Sequence, residues 1–521
     1  MGGDQAVLAG NLLVGSLALL ALYGTARRVV GPWWGLVPTT ALATAVPLAA
    51  FSRAAYTEPL TIALAFGGLT MAWSAFETRS GWRLLLAGAL VGSPALVRID
   101  GAASVIGFVV GLALVAAAPL RARSRSRLQV WLLGATLSAL LMVGLGYLDL
   151  WWHSPGYLND LGNQFTLLVA ALIGSIVVGL GLVVPPWWDP ARRWLLVHRR
   201  TAGRVLAAAV PLIAVVLVSR PLWLVGHRTP LGTNYSQLVG GLQAREGLEV
   251  DPTRSYDEMS VAWIAWYHGW PMVVLAFAGL SLMAYCAVRR RDSRLLVLLA
   301  VIAAPTLLYL WRVSISPDQV WAVRRLLPIA IPGFLLAATI ALASLWSSRR
   351  GWVRAGSLAL AAVVAAFPLT TWGSLFTVVE QGGRWGQLEA VCAALPHDRV
   401  VYVRDGGPDY LPSLRSVCDV EVVEVAQAPT TRHLADLSGA WDDRPLSVVT
   451  FSDSALPWPA GAAPQPVLSS TITGWAYALS HLPTDGTRSD SQVWVAEVTP
   501  DGTLNPVGPS GRPGASAATT G

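Results

Sequence analysis

About twelve apolar runs, each of membrane-spanning length or a little shorter, constrain this chain more than anything else in it. They begin near Ala6, Trp33, Leu60, Leu84, Ala102, Leu128, Phe165, Val205, Trp270, Leu295, Leu326 and Ala355. Runs of that length fit the thickness of a bilayer, where each backbone N–H and C=O must be satisfied within the structure, so they predict packed helices. Of the 521 residues, 54% are hydrophobic and 13% charged, far from the balance of a typical soluble domain. The fold class expected is an all-α polytopic membrane protein. The 24 Trp, many beside Pro or Arg as at 31–34 and 185–188, suit helix ends anchored at headgroup depth.

The net charge of +7 comes entirely from Arg, since the chain has no Lys. Basic clusters follow every second loop: Arg27 and Arg28; Arg79 and Arg83; Arg121, Arg123, Arg125 and Arg127; Arg192, Arg193, Arg199, Arg200 and Arg204; Arg289, Arg290, Arg291 and Arg294; Arg349, Arg350 and Arg354. This is a topology signal, not a nucleic-acid patch, and the positive-inside rule makes those loops cytoplasmic. A multi-pass plasma-membrane protein is expected, with both termini, the loop at 53–58 and everything after about Phe376 outside. Residues 84–120 read as one long helix or as two short ones meeting at 98–101. One span would invert all the later basic clusters, so the charge pattern favours two and puts Arg98 and Asp100 on the outer face.

The outer loops carry the chemistry. At 51–60, FSRAAYTEPL interrupts two apolar runs, with Pro59 placed to start the next helix. Arg53, Tyr56 and Glu58 then share one membrane face, apparatus for an anionic lipid-borne substrate or simply charges meeting water. Arg98 and Asp100 are either part of such a site or a local ion pair capping a helix. After Val225 a longer loop brings Arg254, Tyr256, Asp257, Glu258 and His268. Between two spans, 311–325 places Arg312, Asp318, Arg324 and Arg325 outside, against the charge rule. Phosphate binding by an arginine fork and snorkelling to headgroups are the two readings open. The loop at 150–164, with His153, Tyr157, Asn159 and Asp160, holds no recognisable motif.

From about residue 380 the pattern becomes that of a soluble domain. A helix-like run RWGQLEAVCAAL precedes strand-like runs RVVYVRD, VEVVEV, LSVVTF and QVWVAEV, as in a small α/β unit. Three domains are expected: 1–376 spanning the membrane, 377–500 an extracytoplasmic α/β domain, and 501–521 a disordered tail rich in Gly, Pro, Ser and Thr. Cys392 and Cys418 share the α/β region, so a disulfide is open to them if that region lies outside. Asp405 to Asp409, DGGPD, reads as a turn after a strand. The chain has no Walker-type loop, GxGxxG turn, HExxH, CxxC or GxSxG, so ATP-driven transport has no engine here. No resident cofactor or metal site is expected; a need for a divalent metal is left open.

The first spans with LYGTARRVVGPWWGLVPTTALAT, the loop SRAAYTEPL, the helix pair LLLAGALVGSPALVRIDGAASVIGF and the segment VWAVRRLLPIAIPGFLL together resemble the GT-C glycosyltransferases. That class includes protein O-mannosyltransferases and bacterial lipid A aminoarabinose transferases. The resemblance implies transfer of a sugar from a polyprenyl-phosphate donor to a glycan, lipid or protein acceptor of the cell envelope, on the outer face. Family members place an essential acid in the first outer loop, directly after the first helix. This sequence begins beyond that point, Asp4 lies too near its start for the role, and one upstream helix with its loop is expected to precede it. By position Glu58 matches the family's second outer acid and is the catalytic candidate, assisting or orienting. Arg53, Tyr56, Arg98, Asp100, Arg324 and Arg325 are the candidates for donor phosphate or sugar, and Tyr256, Asp257, Glu258, His268 and Asp318 for acceptor or loop contacts. Direct displacement from a phosphate, itself a stable leaving group, predicts inversion. A lipid-linked-sugar flippase and a non-catalytic envelope scaffold are the alternatives. Against the first stand the absence of a hydropathy repeat and the scarcity of ionisable residues in mid-span.

Overall fold

A computed structural model of the chain describes all residues except 1–2, 118–121, 184–189, 191–193, 195–196, 291, 405–407, 409, 461–463 and 509–521. Two compact units emerge: Met1–Trp372 with Tyr477–Pro483, and Gly373–Ala476 with Thr484–Gly521. DGGPD therefore falls largely outside the described residues, as do most of the tail and the Asp4 side chain.

The first unit is helical. In chain order it contains α1 (Gly3–Val30), α2 (Pro32–Ala43), α3 (Val46–Ser52), α4 (Glu58–Thr78), α5 (Gly81–Gly92), α6 (Ala102–Ala117), α7 (Ala122–His153), α8 (Pro155–Leu161) and α9 (Asn163–Val183). There follow α10 (Arg199–Ser219), α11 (Asn234–Arg245), α12 (Ser260–His268), α13 (Trp270–Arg290), α14 (Ser293–Trp311), α15 (Ala330–Trp346) and α16 (Gly351–Ala366). Among the described residues nine helices are long and apolar enough to cross a membrane, or ten if α2 and α3, bent by 66°, make one span. This is a multi-pass membrane protein. Every apolar run read from the sequence is helical, but the runs at Leu84 and Leu326 form shorter apolar helices, Gly81–Leu96 and Ala330–Trp346. Over the described residues 84–117 the segment is two helices, the reading that the charge pattern favours, broken at 97–101.

Local chemistry explains where the site-bearing helices start. Pro59 sits in the first turn of α4, where its missing N–H costs nothing, and Glu58 beside it faces the positive end of the helix dipole. Arg98 has extended backbone ahead of a single 3-10 turn that leads into α6. Between helices the packing relies on small residues, as is usual where lipid offers no hydrophobic drive. At Gly107 of α6 a Cβ would stand 2.2 Å from the carbonyl oxygen of Ala300 in α14, so only glycine permits that approach.

The second unit is an α/β domain with α17 (Arg384–Ala394), β1 (Arg399–Val403), α18 (Leu411–Val417), β2 (Glu421–Val425), α19 (Thr431–Ala440), β3 (Leu446–Thr450), β4 (Leu468–Trp475), β5 (Gly486–Val498) and β6 (Leu504–Pro506). Its sheet runs β2-β1-β3-β5-β4, parallel across the first three and antiparallel thereafter, with β6 on β5. Both faces are covered. Val400, Tyr402 and Val449 pack with Leu388 and Val391, while Val401, Val403 and Val448 pack with Leu434 on the other side. A strand buried on two faces reads as a continuous apolar run, which is why VVYV and SVVT were legible. β4 was not anticipated, because LSSTITGW is a polar edge strand. Within the segment expected to be disordered from residue 501, Leu504–Pro506 is instead a strand whose Leu504 is buried in the core. Cys392 and Cys418 are disulfide-bonded with Cα atoms 5.1 Å apart, joining α17 to the end of α18, and Cys286 is free.

Two outcomes follow from this packing. Replacing Gly107 by Val should force α6 from α14 and lower stability by about 1–3 kcal/mol, seen as a lower thermal midpoint in detergent. Reduction should expose two new thiols to maleimide beside that of Cys286 and destabilise the α/β unit by about 2–4 kcal/mol, measurable as increased proteolysis within it.

Candidate functional site

Three loop segments of the first unit converge on one cluster of charges. Glu58, at the head of α4, is completely buried and accepts from both Arg98 and Arg324 through its Oε1. Arg98 also grips Asp100 in a two-point fork, Nε to Oδ1 at 2.9 Å and Nη2 to Oδ2 at 3.0 Å. Arg325 donates to Asp100 Oδ2 at 2.9 Å, and the Tyr309 hydroxyl donates to the same oxygen. Burial works against the charge on Arg98, but Asp100 more than compensates and raises its pKa above the ordinary arginine value. The same balance, burial against Asp100, raises that of Arg325. Both guanidiniums stay charged at any physiological pH. Arg324 lies over the rings of Trp321 and Tyr56, at 4.5 and 5.1 Å from their centroids.

This cluster forms one wall of a cleft of about 590 Å³. Among the described residues five arginines line it, Arg98, Arg228, Arg312, Arg324 and Arg325, against three carboxylates, Asp100, Asp149 and Asp257. Such an excess of guanidinium suits an anion. Thr57, Tyr157, Gln164 and Tyr235 add hydroxyl and amide groups. A second cavity of about 410 Å³ adjoins it, walled by Ala103 and Ile106 of α6, Leu167, Leu168 and Ala171 of α9, and Ala304 and Leu308 of α14. Ile99, Asp100, Gln164, Arg312, Ser314 and Arg325 line both. An apolar groove between membrane helices thus opens into an arginine-lined polar cleft. Among the described residues the exposed guanidinium of Arg312, at that junction, has no ion-pair partner.

Of the residues nominated from sequence, Arg98, Asp100, Arg324 and Arg325 meet as described, and Tyr56 supports Arg324. Glu58 anchors the cluster from behind and does not line the cleft. Arg53 is exposed, its guanidinium 5.9 Å from the Trp372 ring centroid, and does not line the cleft either. Asp257 reaches the cleft, where it accepts from Val313 N and Ser255 Oγ at 2.9 Å each, with Arg228 at 3.5 Å.

The other expected acceptor contacts turn inward. Glu258 pairs with Arg254 and accepts from Gly226 N at 3.2 Å. The Tyr256 hydroxyl accepts from Gln243 at 3.1 Å. Asp318 is bonded by Ser316 Oγ, and burial raises its pKa. His268 is wholly buried, which lowers its pKa to about 3 and keeps the ring neutral. Glu258, Tyr256 and Asp318 hold the loops that frame the site through these bonds, whereas the His268 ring nitrogens have no hydrogen-bond partner among the described residues. A sequence cannot separate a polar residue that closes a loop from one that faces a ligand. Arg228, Asp149, Tyr157 and Arg312 line the cleft and Tyr309 lines the groove, and none of the five is among the candidates that the sequence offers. No local motif marks them, since they come together only through packing. Among the described residues no group of three or more His, Cys, Asp or Glu could hold a metal ion.

No protein-family model and no curated protein matches the chain. Among solved structures it is similar to the oligosaccharyltransferase AglB of Archaeoglobus fulgidus in complex with an inhibitory peptide and a dolichol-phosphate, at 15% identity and a TM-score of 0.43, covering 85% of this chain and 58% of that one. A structure of the Archaeoglobus fulgidus oligosaccharyltransferase with an acceptor peptide tethered by a disulfide is similar at 14% identity and a TM-score of 0.46, over 86% of this chain and 57% of that one. ArnT of Cupriavidus metallidurans in the apo state is similar at 14% identity and a TM-score of 0.29, over 86% and 79%. The chain spans less than two thirds of the length of the oligosaccharyltransferase chains it matches. The sequence resemblance to GT-C glycosyltransferases stands beside these likenesses, and the functional reading rests on the residues of the site.

Proposed function

We propose that this protein is a membrane glycosyltransferase that moves a sugar from a polyprenyl-phosphate donor to a cell-envelope acceptor on the outer face of the membrane. One observation carries the reading: the apolar groove and the arginine-lined cleft share a rim at Asp100, Arg312 and Arg325. A polyprenyl tail fits the groove, a phosphodiester fits the rim, and the sugar then projects into the cleft with its hydroxyls and carboxylates. The disulfide supports an oxidising, extracytoplasmic setting for the α/β unit.

In this reading the arginines act where charge develops. As the bond from the anomeric carbon to the phosphate oxygen breaks, its electron pair goes to the phosphate, and Arg312 and Arg325 are placed to neutralise it. Glu58 works indirectly: it fixes Arg98 and Arg324, and Arg98 fixes Asp100, so the guanidiniums are ordered before a donor arrives. Attack from the face opposite the phosphate inverts the anomeric centre.

Radiolabelled transfer from polyprenyl-phosphate donors in membranes tests this. Arg312→Ala and Arg325→Ala should each weaken donor binding about 10–100-fold, the worth of one charge-assisted hydrogen bond. Ala171→Trp, which fills the groove without touching the cleft, should abolish use of long-chain donors and spare short-chain ones. Equal donor use by all three variants would refute the assignment. Glu58→Gln should leave the buried Arg98 and the partly exposed Arg324 short of countercharge, destabilise the protein by about 3–5 kcal/mol and remove transfer, read as a lowered thermal midpoint beside the activity.

A further inference from the structure

The charge assigned above to the donor phosphate depends on one backbone turn. Arg312 is the residue at which α14 ends and the chain becomes extended, with φ −143° and ψ 107°. The last carbonyls of a helix have no intrahelical donor and need one from elsewhere. Here the donor is Arg220, in the single turn that follows α10. Its Nη1 donates to Trp311 O at 2.9 Å, and its Nη2 reaches Leu310 O at 2.5 Å, Asp257 O at 2.7 Å and Ser260 Oγ at 2.8 Å. The Ser260 hydroxyl donates to Leu310 O as well, at 2.7 Å. On the far side of Arg312, Val313 N donates to Asp257 Oδ1 at 2.9 Å. The backbone is therefore clamped on both sides of Arg312 by groups that meet at Arg220 and Asp257. Arg220 is fully buried, and among the described residues it bonds to carbonyls and a hydroxyl, not to a carboxylate. A buried guanidinium held this way costs more than an apolar side chain of the same volume. What the charge supplies is a fork of donors matched to successive carbonyls at the negative end of a helix.

We infer that Arg220 is a positioning residue for the donor phosphate and acts through Arg312, an inference that rests on the glycosyltransferase reading. By capping α14 at Leu310 and Trp311 it stops the helix just short of Arg312, which then stands at the rim shared by groove and cleft. Arg220 itself lines neither cavity, so it has no contact to offer a donor. Without it the end of α14 loses its donors and is free to extend or fray through Arg312. That displaces the charge from the rim while leaving the side chain that carries it intact.

Binding of radiolabelled polyprenyl phosphate to the full-length chain in nanodiscs, read as a double-mutant cycle with Arg312→Ala, tests this. Arg220→Gln should weaken binding about tenfold when Arg312 is present, and by less than about twofold when Arg312 is already alanine. Ser260→Ala removes one hydroxyl from the clamp and leaves Arg220 in place. It should repeat the pattern on a smaller scale, a loss of about two- to threefold that vanishes beside Arg312→Ala, and it decides the matter if Arg220→Gln does not fold. Thermal midpoints separate positioning from mere bracing: any loss of stability should be the same in both backgrounds, whereas the loss of binding should not. Unchanged binding in these variants, or equal losses with and without Arg312, would overturn the inference while the enzymatic reading stands. A wild type that binds no polyprenyl phosphate, or whose binding Arg312→Ala does not weaken, overturns the assignment of the donor site and this inference with it.

Discussion

The pairing of Glu58 with Arg98 and Arg324 is the constraint on which the site depends. A carboxylate stripped of water is tolerated only with strong partners, and these two guanidiniums come from segments far apart in the chain. Their meeting fixes the head of α4, the turn between α5 and α6, and the loop before α15 in one arrangement. Asp100 extends the network to Arg325 and Tyr309, and so to the end of α14. Three guanidiniums face two carboxylates within it, leaving one positive charge over. That surplus is what an anionic ligand would meet, and it exists before any ligand binds.

Much of the helical architecture was legible because hydrocarbon imposes a simple grammar. Apolar length marks helices, and the spacing of the arginine clusters favours the two helices found over residues 84–117. Two runs proved shorter than a bilayer, since the length of a buried helix is set by its neighbours as much as by its own sequence. In the α/β unit the strands buried on both faces were readable, and those at the sheet's polar edge, β4 and β6, were not.

The site was legible in part, for a related reason. Residues that break a rule stood out: Glu58 at a helix head, Asp100 between two apolar helices, and Arg324 and Arg325 against the charge pattern. Those that obey local rules did not. Tyr309 sits in an apolar helix like any interfacial aromatic, and Asp149 near a helix end like any solvated charge. Conversely, Glu258, His268 and Asp318 look functional because polar groups cluster in loops, yet all three are buried, and Glu258 and Asp318 brace the framework through their bonds.

The shared rim of groove and cleft also bears on how a substrate would arrive. α9 presents Leu167, 63% exposed, on the wall of the groove, an apolar side chain suited to entry from among lipid tails. In the proposed reading, a lipid donor held there would be recruited by lateral diffusion within one leaflet. Its occupancy is then governed by its mole fraction among the surrounding lipids, a two-dimensional quantity that the composition and fluidity of the bilayer would regulate without any change in the protein.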